Sequence, residues 1–267
     1  MVLIIIISIL AIFLIGVILY FFAVAFVKRD EGNVDNLNDS VNKNLEKYKT
    51  DIQKGIDYAN SKNPIWVETI SFDGLRLKAR YFNNESDKTI LLFHGYRSSA
   101  LRDFSCAIKM YTELGFNILL CDQRSHGKSE GKLITFGVKE SRDVVSWVEY
   151  INDVYEPEKI VLDGISMGAT TVILACRFSL PENVRAVIAD CGFTSPTDIM
   201  KNQRSCCMIP VNYATLLTIC PFYFYFNYLS TAPPLINKDE VRAPKRNTNI
   251  FRSSEKKLFL LRQVMVY

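Results

Sequence analysis

The sequence predicts an α/β fold, with a mostly parallel sheet covered by helices on both faces. From residue 65 onward, short apolar runs typical of buried strands alternate with segments of helical pattern. The chain has 267 residues, of which 49% are hydrophobic, so it can bury one sizeable core. Ahead of this region, a long apolar run and a polar stretch predict an anchor and a linker.

The N-terminal run from Val2 to Val27 contains no charged residue and is long enough to cross a bilayer as a helix. A cleaved signal peptide is the alternative, because Ala23-Val24-Ala25 resembles a cleavage site, but the apolar region is too long and no positive residue precedes it. We therefore predict a single-pass membrane protein in which residues 1–27 are the transmembrane anchor and residues 2–27 contact the lipid bilayer. Lys28 and Arg29 flank the run, so the positive-inside rule places the following domain on the cytoplasmic side.

Residues 28–62 are predicted to form a polar linker followed by an amphipathic helix. Asn, Asp and Lys dominate the segment, and one apolar stripe recurs through it at helical spacing. The members of the stripe are Val41, Leu45, Tyr48, Ile52, Ile56 and Ala59. We expect this helix to pack its stripe on the domain that follows.

Residues 63–194 are the predicted core. The Asp73-Gly74 pair between two strand-like runs, residues 65–70 and 75–82, predicts a hairpin. Further apolar runs of buried-strand type cover residues 89–93, 116–121, 159–162 and 185–189. Helical segments near residues 100–114, 139–152 and 168–179 separate them, and such alternation is typical of a parallel sheet.

Charge and cysteine usage exclude some classes of protein. The net charge is +4, but residues 235–267 carry eight Lys and Arg against three Asp and Glu, so the rest of the chain is nearly neutral. No basic face with interleaved aromatic residues is visible, and we expect no nucleic-acid partner. The seven cysteines show no CxxC spacing, and this odd, unpatterned set favours a reducing compartment.

Residues 164–169, Gly-Ile-Ser-Met-Gly-Ala, follow a predicted strand and open a predicted helix. This is the context of a nucleophile elbow, a strained turn that presents Ser166 at its tip. Gly164 and Gly168 are needed because neighbouring backbone crowds the turn, and the helix N-terminus favours developing negative charge. A chance Gly-x-Ser-x-Gly in a loop is the alternative, which the flanking strand and helix disfavour.

A serine hydroxyl is a weak nucleophile and needs an adjacent base. The chain has two histidines, His94 and His126, and both precede Ser166. A triad histidine after the serine is therefore not found, and neither is a triad acid.

Three further motifs accompany the elbow: His94-Gly-Tyr-Arg-Ser-Ser99, Asp122-Gln-Arg-Ser-His-Gly-Lys-Ser-Glu-Gly131 and Asp190-Cys-Gly-Phe-Thr-Ser195. Together, from about Val67 to Asn237, the four motifs resemble the α/β-hydrolase superfamily, in particular its serine esterase and serine-aminopeptidase-like branch. The resemblance implies that the backbone N–H groups of Tyr96 and Met167 form an oxyanion hole. It also implies no metal and no organic cofactor.

The resemblance assigns structural roles to the remaining motif residues. His94 and Gly95 belong to the oxyanion loop, and His126 to a packed loop in which Asp122 and Arg124 form a charge pair. His126 as a substitute base for Ser166 is an alternative that this role disfavours. Asp190 is also structural, because the resemblance places the triad acid one strand later.

The resemblance also places a short helical lid at residues 195–237. Residues 219–228 are rich in Tyr and Phe. They indicate either a lid for an apolar substrate or membrane, or ordinary packing of lid helices on the core, which we favour.

Residues 238–267 depart from the family's pattern, so the C-terminal strands are predicted to be incomplete. The family would show an acid-bearing strand and then a strand leading to Gly-His, whereas this tail has one possible strand, residues 255–261, followed by Gln263-Val-Met-Val. We expect the missing strand to leave an apolar sheet edge exposed. Read one base earlier, codons for Gln-Val-Met-Val also encode Ala-Gly-His-Gly, so a frameshift near residue 261 is our hypothesis and chance the alternative.

The sequence thus predicts a membrane-anchored protein whose ancestral activity is hydrolysis of small acyl esters, thioesters or amides through an acyl-enzyme at Ser166. Without a triad histidine, that activity should be impaired by several orders of magnitude. The alternatives are a non-catalytic membrane-tethered pseudoenzyme or small-molecule-binding protein, and a decayed gene whose product scarcely folds. The sequence does not define the oligomeric state.

Resequencing the gene from codon 230 past its stop tests the frameshift. We expect a restored frame that encodes an acid-bearing strand and a downstream Gly-His. A reading that reproduces Gln263-Val-Met-Val unchanged would overturn the hypothesis.

Overall fold

The computed structural model describes residues 2–25, 46–193, 249–252 and 258–263. The helices in these ranges are α1 (Val2–Ala25), α2 (Lys49–Ser61), α3 (Ala100–Glu113), α4 (Glu140–Tyr155) and α5 (Met167–Ala175). The strands are β1 (Ile65–Ile70), β2 (Arg76–Phe82), β3 (Lys88–Phe93), β4 (Asn117–Cys121), β5 (Lys159–Ile165), β6 (Val184–Asp190), β7 (Asn249–Arg252) and β8 (Leu258–Gln263). The predicted lid lies outside the described residues.

The described strands form one eight-stranded sheet in the order β1-β2-β4-β3-β5-β6-β8-β7. The pairs from β4 through β3, β5 and β6 to β8 are parallel, while β1, β2 and β7 pair antiparallel. The predicted α/β architecture is confirmed, with a mixed sheet that is parallel at its centre.

Successive residues of the central strands point to opposite faces of the sheet, and each face carries its own core. Leu91 and Phe93 of β3 pack with α4 and α5, whereas Ile90 and Leu92 pack with α2 and α3. Helices therefore cover both faces, and the carboxyl ends of β3, β4, β5 and β6 meet at one edge. That edge is where ligands of such sheets bind.

Helix α1 covers most of the apolar N-terminal run, and the structure describes its side chains at positions 2, 4–16 and 19. Among the residues that the structure describes, no helix is found that is both long and apolar enough to cross a bilayer. The membrane anchor and its orientation stay predictions.

The sheet continues past β6. Strand β8 pairs with β6 in parallel, with Ala186 opposite Leu258, and β7 pairs with the other side of β8 at the end of the described sheet. The apolar run Leu258-Phe-Leu-Leu261 suits a buried parallel strand. The predicted strand at residues 255–261 thus overlaps β8, and the predicted exposure of an apolar sheet edge stays a prediction.

Helix α2 lies directly on α3 through Gly55. A Cβ added at Gly55 would lie 2.5 Å from the backbone oxygen of Ser105, a distance that real Cβ atoms do not show. The close approach lets Ile56 and Ala59 reach the core, where they are 6% and 1% exposed.

Replacing Gly55 by Ala tests this contact. Helix propensity alone would make Gly55→Ala stabilising by up to about 1 kcal/mol, but the clash with Ser105 should make it destabilising by about 1–3 kcal/mol. Urea unfolding measures the change, and Lys54→Ala, on the exposed side of α2, is the control expected to change little. A Gly55→Ala variant more stable than the wild type would contradict the packing.

Candidate functional site

Ser166 lies at the turn between β5 and α5, with φ 55° and ψ −111°. This backbone conformation is rare for a residue with a side chain and costs on the order of 1–3 kcal/mol, which the surroundings must offset. The Ser166 N–H donates to the carbonyl of Asp190 at 2.8 Å, and the Ser166 carbonyl accepts from Thr170 N–H at 3.2 Å. The predicted nucleophile therefore occupies a strained strand-to-helix turn.

Two glycines permit this turn because backbone atoms occupy the space of a side chain. A Cβ at Gly164 would lie 2.2 Å from the Gly168 oxygen, and a Cβ at Gly168 would lie 1.8 Å from the Phe93 oxygen. No side chain fits at either position. Helix α5 consequently begins against the carboxyl end of β3.

The loop after β3 lies beside the serine. A Cβ at Gly95 would stand 3.5 Å from the Ser166 Cβ. Asp103, in the first turn of α3, accepts from Gly95 N–H at 2.9 Å and from the Ser98 hydroxyl, which fixes the loop. Tyr96 follows Gly95, and Met167 is the first residue of α5, where a helix leaves its N–H groups without intrahelical acceptors. One predicted oxyanion donor, Met167, thus follows Ser166 along the chain, and the other, Tyr96, belongs to the loop whose Gly95 lies beside the serine.

His94 is fully buried behind this loop. Its Nδ1 lies 2.8 Å from the Gly95 oxygen, and its Nε2 accepts from Gln123 N–H at 3.1 Å, so Nδ1 carries the proton. Burial lowers the pKa of His94 from its ordinary 6.5 to about 4, against the opposing effect of the Gly95 carbonyl. The side chain is a neutral, doubly bonded support of the loop.

His126 is held in the same way. Its Nδ1 lies 2.9 Å from the Arg124 oxygen, its Nε2 accepts from Arg97 N–H at 3.2 Å, and the residue is 1% exposed. Both ring nitrogens of both histidines therefore bond to backbone. Neither ring offers a nitrogen that could take the Ser166 proton without breaking such a bond.

Gln123 joins the oxyanion loop to the elbow helix. Its side-chain N–H donates to the His94 carbonyl at 2.5 Å, and its side-chain oxygen accepts from the Thr171 hydroxyl at 3.1 Å. All of these groups are buried. A buried network with every group bonded fixes the geometry of the two segments that flank Ser166.

Arg124 is not paired with Asp122, and the predicted charge pair is wrong. The guanidinium, 2% exposed, forms two bonds to Asp143 at 2.6 and 2.5 Å and two to Asp73 at 3.0 Å each. The Asp122 carboxylate instead accepts from Lys128 N–H at 3.0 Å and closes its own loop. The reason is geometric, because a planar guanidinium can bond two carboxylates at once.

The pKa values around Arg124 follow from burial and these bonds. Burial favours loss of the Arg124 proton, but Asp143 and Asp73 outweigh it and raise the pKa further. Burial acts to raise the pKa of Asp73, yet hydrogen bonds from Arg124 and Ser71 hold it well below its ordinary range. Burial also raises the pKa of the Asp143 carboxyl, and the bonds from Arg124 oppose this.

Asp190 ends β6 beside the elbow. Its backbone carbonyl accepts from Ser166 N–H, and its carboxylate accepts from the Cys191 thiol at 3.2 Å. Burial, reinforced by that bond, raises the pKa of Cys191 to about 11, so the thiol stays protonated. Asp190 thus supports the elbow through its backbone.

An apolar cluster adjoins the serine through Met167. Its buried members are Ile134, Phe136, Met167 and Phe193, with Tyr96 and Val138 packed against them. The rings of Tyr96 and Phe136 stack with centroids 5.1 Å apart. Within the described part of the chain, no cluster of His, Cys, Asp or Glu could hold a metal ion. The arrangement offers a strained serine, nearby amides and an apolar wall.

The sequence reasoning missed Asp103, Gln123, Asp73 and Asp143. Asp103 could have been found, because Ser98-Ser99 before a helix with an acid in its first turn is a capping signal. Asp73 and Asp143 are 51 and 19 positions from Arg124, and no local pattern links them.

The chain belongs to the family whose sequence model is described as serine aminopeptidase, S33, within the α/β-hydrolases. That model matches residues 84–219, half of the chain, and the resemblance to the superfamily is confirmed.

Curated proteins and solved structures are similar to this chain over part of its length. The chain is 28% identical over 136 residues to the thiohydrolase aneE of Aspergillus aculeatus, covering 49% of this chain and 42% of that protein. It is 27% identical over 176 residues to the uncharacterized protein YfhR of Escherichia coli K12, covering 63% and 58%. An esterase structure from Pyrococcus furiosus superposes with a TM-score of 0.51 at 28% identity, covering 62% of this chain and 65% of that one. Each match spans less than two thirds of the relative's own length.

The depressed pKa of His94 should make stability depend on pH. The unfolded chain binds a proton at His94 near pH 6.5 and the folded chain only near pH 4, so stability is full above pH 6.5 and falls as the pH drops toward 4. The stability advantage of the wild type over His94→Gln should shrink by roughly 3 kcal/mol across this window, at ~1.4 kcal/mol per pKa unit. Urea unfolding at a series of pH values measures it.

Taking the difference in unfolding free energy between wild type and His94→Gln cancels the contributions of other groups that titrate in the same pH range. Ser146→Ala, on α4, is the matched control and should follow the wild type at every pH. A wild-type advantage that stays constant from pH 7.5 to 4.5 would show that His94 titrates normally in the folded protein.

Proposed function

We propose that this protein acts on acyl compounds at Ser166 by the acyl-transfer chemistry of serine hydrolases. The strained backbone of Ser166, with φ 55° and ψ −111°, is the observation that carries the proposal. Strain of this kind concentrates at functional sites, and here it falls at the elbow whose glycines Gly164 and Gly168 admit no side chain. The amides of Tyr96 and Met167 are the proposed donors to the oxyanion of the tetrahedral intermediate.

The substrate is proposed to be a small ester, thioester or amide with an apolar acyl group. The apolar cluster next to Met167 supports this class, because it offers a dry wall beside the reacting carbonyl. An esterase and a thiohydrolase among the relatives support it further. The proposal needs neither a metal ion nor an organic cofactor.

The activity of this chain is proposed to be low because neither of its histidines is placed to act as the base of Ser166. Its two histidines bond to backbone through both ring nitrogens. With triad members removed, a serine protease keeps a residual acceleration of about 10³–10⁴-fold over water from its oxyanion hole and binding. We expect a rate of that order.

The proposed setting is the membrane, with the apolar N-terminal run as the anchor. The sequence alone supports it, since residues 2–27 carry no charge and form an apolar run long enough to span a bilayer core of roughly 30 Å. Ile4 and Ile12 are 69% and 70% exposed, and such exposed apolar side chains would be buried by lipid. Lys28 and Arg29 support a cytoplasmic domain.

Chemical rescue tests the catalytic proposal. Hydrolysis of a short activated ester should exceed that of Ser166→Ala, and added imidazole should widen the difference because it supplies the absent base. Ser146→Ala is the control and should behave as wild type. Subtracting the Ser166→Ala rate removes hydrolysis by imidazole itself.

A non-catalytic binding protein is the second candidate. It is favoured because both ring nitrogens of each histidine are hydrogen-bonded to backbone. Its mark would be a folded wild type with no Ser166-dependent hydrolysis, with or without imidazole, and no labelling of Ser166 by a fluorophosphonate probe. That result would overturn the proposal of acyl transfer and favour a protein that binds a small molecule without reacting with it.

A further inference from the structure

The first strand of the sheet and the turn after it expose an unusual amount of apolar surface. Ile65, Trp66, Ile70 and Phe72 are 56%, 38%, 56% and 44% exposed. These four residues, the β1 patch, fall within eight positions of the chain. The other exposed large apolar side chains of residues 46–193 are dispersed over separate elements: Tyr48, Met110, Leu114 and Val154. Trp66 and Ile70 share one face of β1, and Ile65 lies on the face of the buried Val67. A concentration of exposed apolar side chains in one short segment marks an interaction site more often than scattered ones do.

Cationic side chains lie over the aromatic rings of the β1 patch. Lys128 Nζ is 3.9 Å and Arg80 Cζ 4.5 Å from the centroid of the Trp66 ring. Arg142 Cζ is 4.4 Å from the centroid of the Phe72 ring. The patch therefore combines exposed aromatic and aliphatic groups with positive charge.

The neighbouring acidic groups are neutralised by partners of their own. Glu68 bonds to Lys78, and Glu130 bonds to Arg76 at 2.6 Å. Asp73 is held by Arg124 at 3.0 Å and by Lys139 at 3.2 Å. The exposed charges that lie over the rings of the patch are those of Lys128 and Arg142, and both are positive.

The position of β1 brings the patch to the rim of the domain. In the described sheet β1 pairs on one side only, with β2, and Trp66 lies opposite Arg80 in that pairing. Along the chain, β1 begins four residues after α2 ends, and α2 follows the linker from the apolar N-terminal run. If the apolar run enters a membrane, the chain between that run and β1 holds the domain near the same membrane. The patch then has a high effective concentration at the membrane surface.

We propose that the β1 patch docks the domain on an anionic membrane surface, with Trp66 and Phe72 at the level of the lipid headgroups and the exposed Lys128 and Arg142 on lipid phosphates. Indole rings favour that level of a bilayer, and basic side chains are attracted to its anionic lipids. The inference rests on the proposed membrane anchor. It adds a second contact that fixes how the domain sits on the bilayer.

The chain offers a direct optical test, because its two tryptophans differ in exposure. Trp147 is 1% exposed in the core and Trp66 is 38% exposed in the patch. The full chain is reconstituted into vesicles that contain lipid brominated near the headgroup, with either neutral phosphatidylcholine or added phosphatidylglycerol. We expect quenching of Trp66 in the anionic vesicles, and Trp66→Phe should remove the quenched component.

Charge variants test the cation contribution. One basic side chain near an anionic surface contributes roughly fivefold to binding, so Lys128→Glu should lower the ratio of docked to undocked domain at least about fivefold. Lys109→Glu, an exposed lysine on α3, is the matched control and should leave quenching unchanged. Equal quenching in Lys128→Glu, or in neutral vesicles, would overturn the electrostatic part of the proposal.

Flotation of the same vesicles separates the two proposals. Protein that floats with the vesicles while Trp66 stays unquenched overturns docking through β1 and leaves the anchor standing. Protein that does not float overturns the anchor and the docking that depends on it.

Discussion

The direct contact between the start of α5 and the carboxyl end of β3 is the constraint on which the site depends. Gly168 approaches the Phe93 carbonyl so closely that a Cβ would lie 1.8 Å from its oxygen. Two residues before this approach, Ser166 adopts a positive φ of 55°. The approach also brings the loop after β3 beside the serine. The buried amide of Gln123 then ties that loop to α5 through Thr171.

The site is thus arranged to stabilise a developing negative charge, but its histidines are not placed to accept the proton of Ser166. Electrostatic stabilisation needs donors fixed before the reaction begins, and the bonds of Asp103, His94 and Gln123 supply that rigidity. Proton transfer needs a base with a lone pair directed at the serine, whereas Gln123 N–H and Arg97 N–H occupy the lone pairs of His94 and His126. One set of hydrogen bonds accounts for the order of the loop and for the absence of a base among its histidines.

Local patterns predicted much of the fold, because the determinants of the core strands are local. Each apolar run from residue 89 to 189 overlaps a strand, and the Asp73-Gly74 pair lies between β1 and β2 as predicted. The helix predicted at residues 168–179 is shorter, since α5 ends at Ala175. The elbow was visible from sequence because both of its glycines lie within a six-residue motif.

Interactions between distant parts of the chain were not predictable in this way. The partners of Arg124 lie on a hairpin turn and on α4, and only the folded topology brings them together. The strand beside β6 was predicted from its apolar run, but its neighbours in the sheet were not. Which strands it pairs with depends on the folded topology, and a linear pattern does not encode that.

Strand β8 ends at the same edge of the sheet as the strand that carries Ser166. Gln263 lies opposite Asp190 in the parallel register, so the chain leaves β8 at the edge where β5 delivers Ser166. Strands β5, β6 and β8 are parallel neighbours, so position 263 lies at the same edge of the sheet as Ser166. An engineered catalytic base could be introduced there. The backbone at Gln263 is therefore a position where a substituted side chain could be tested as a partner of Ser166.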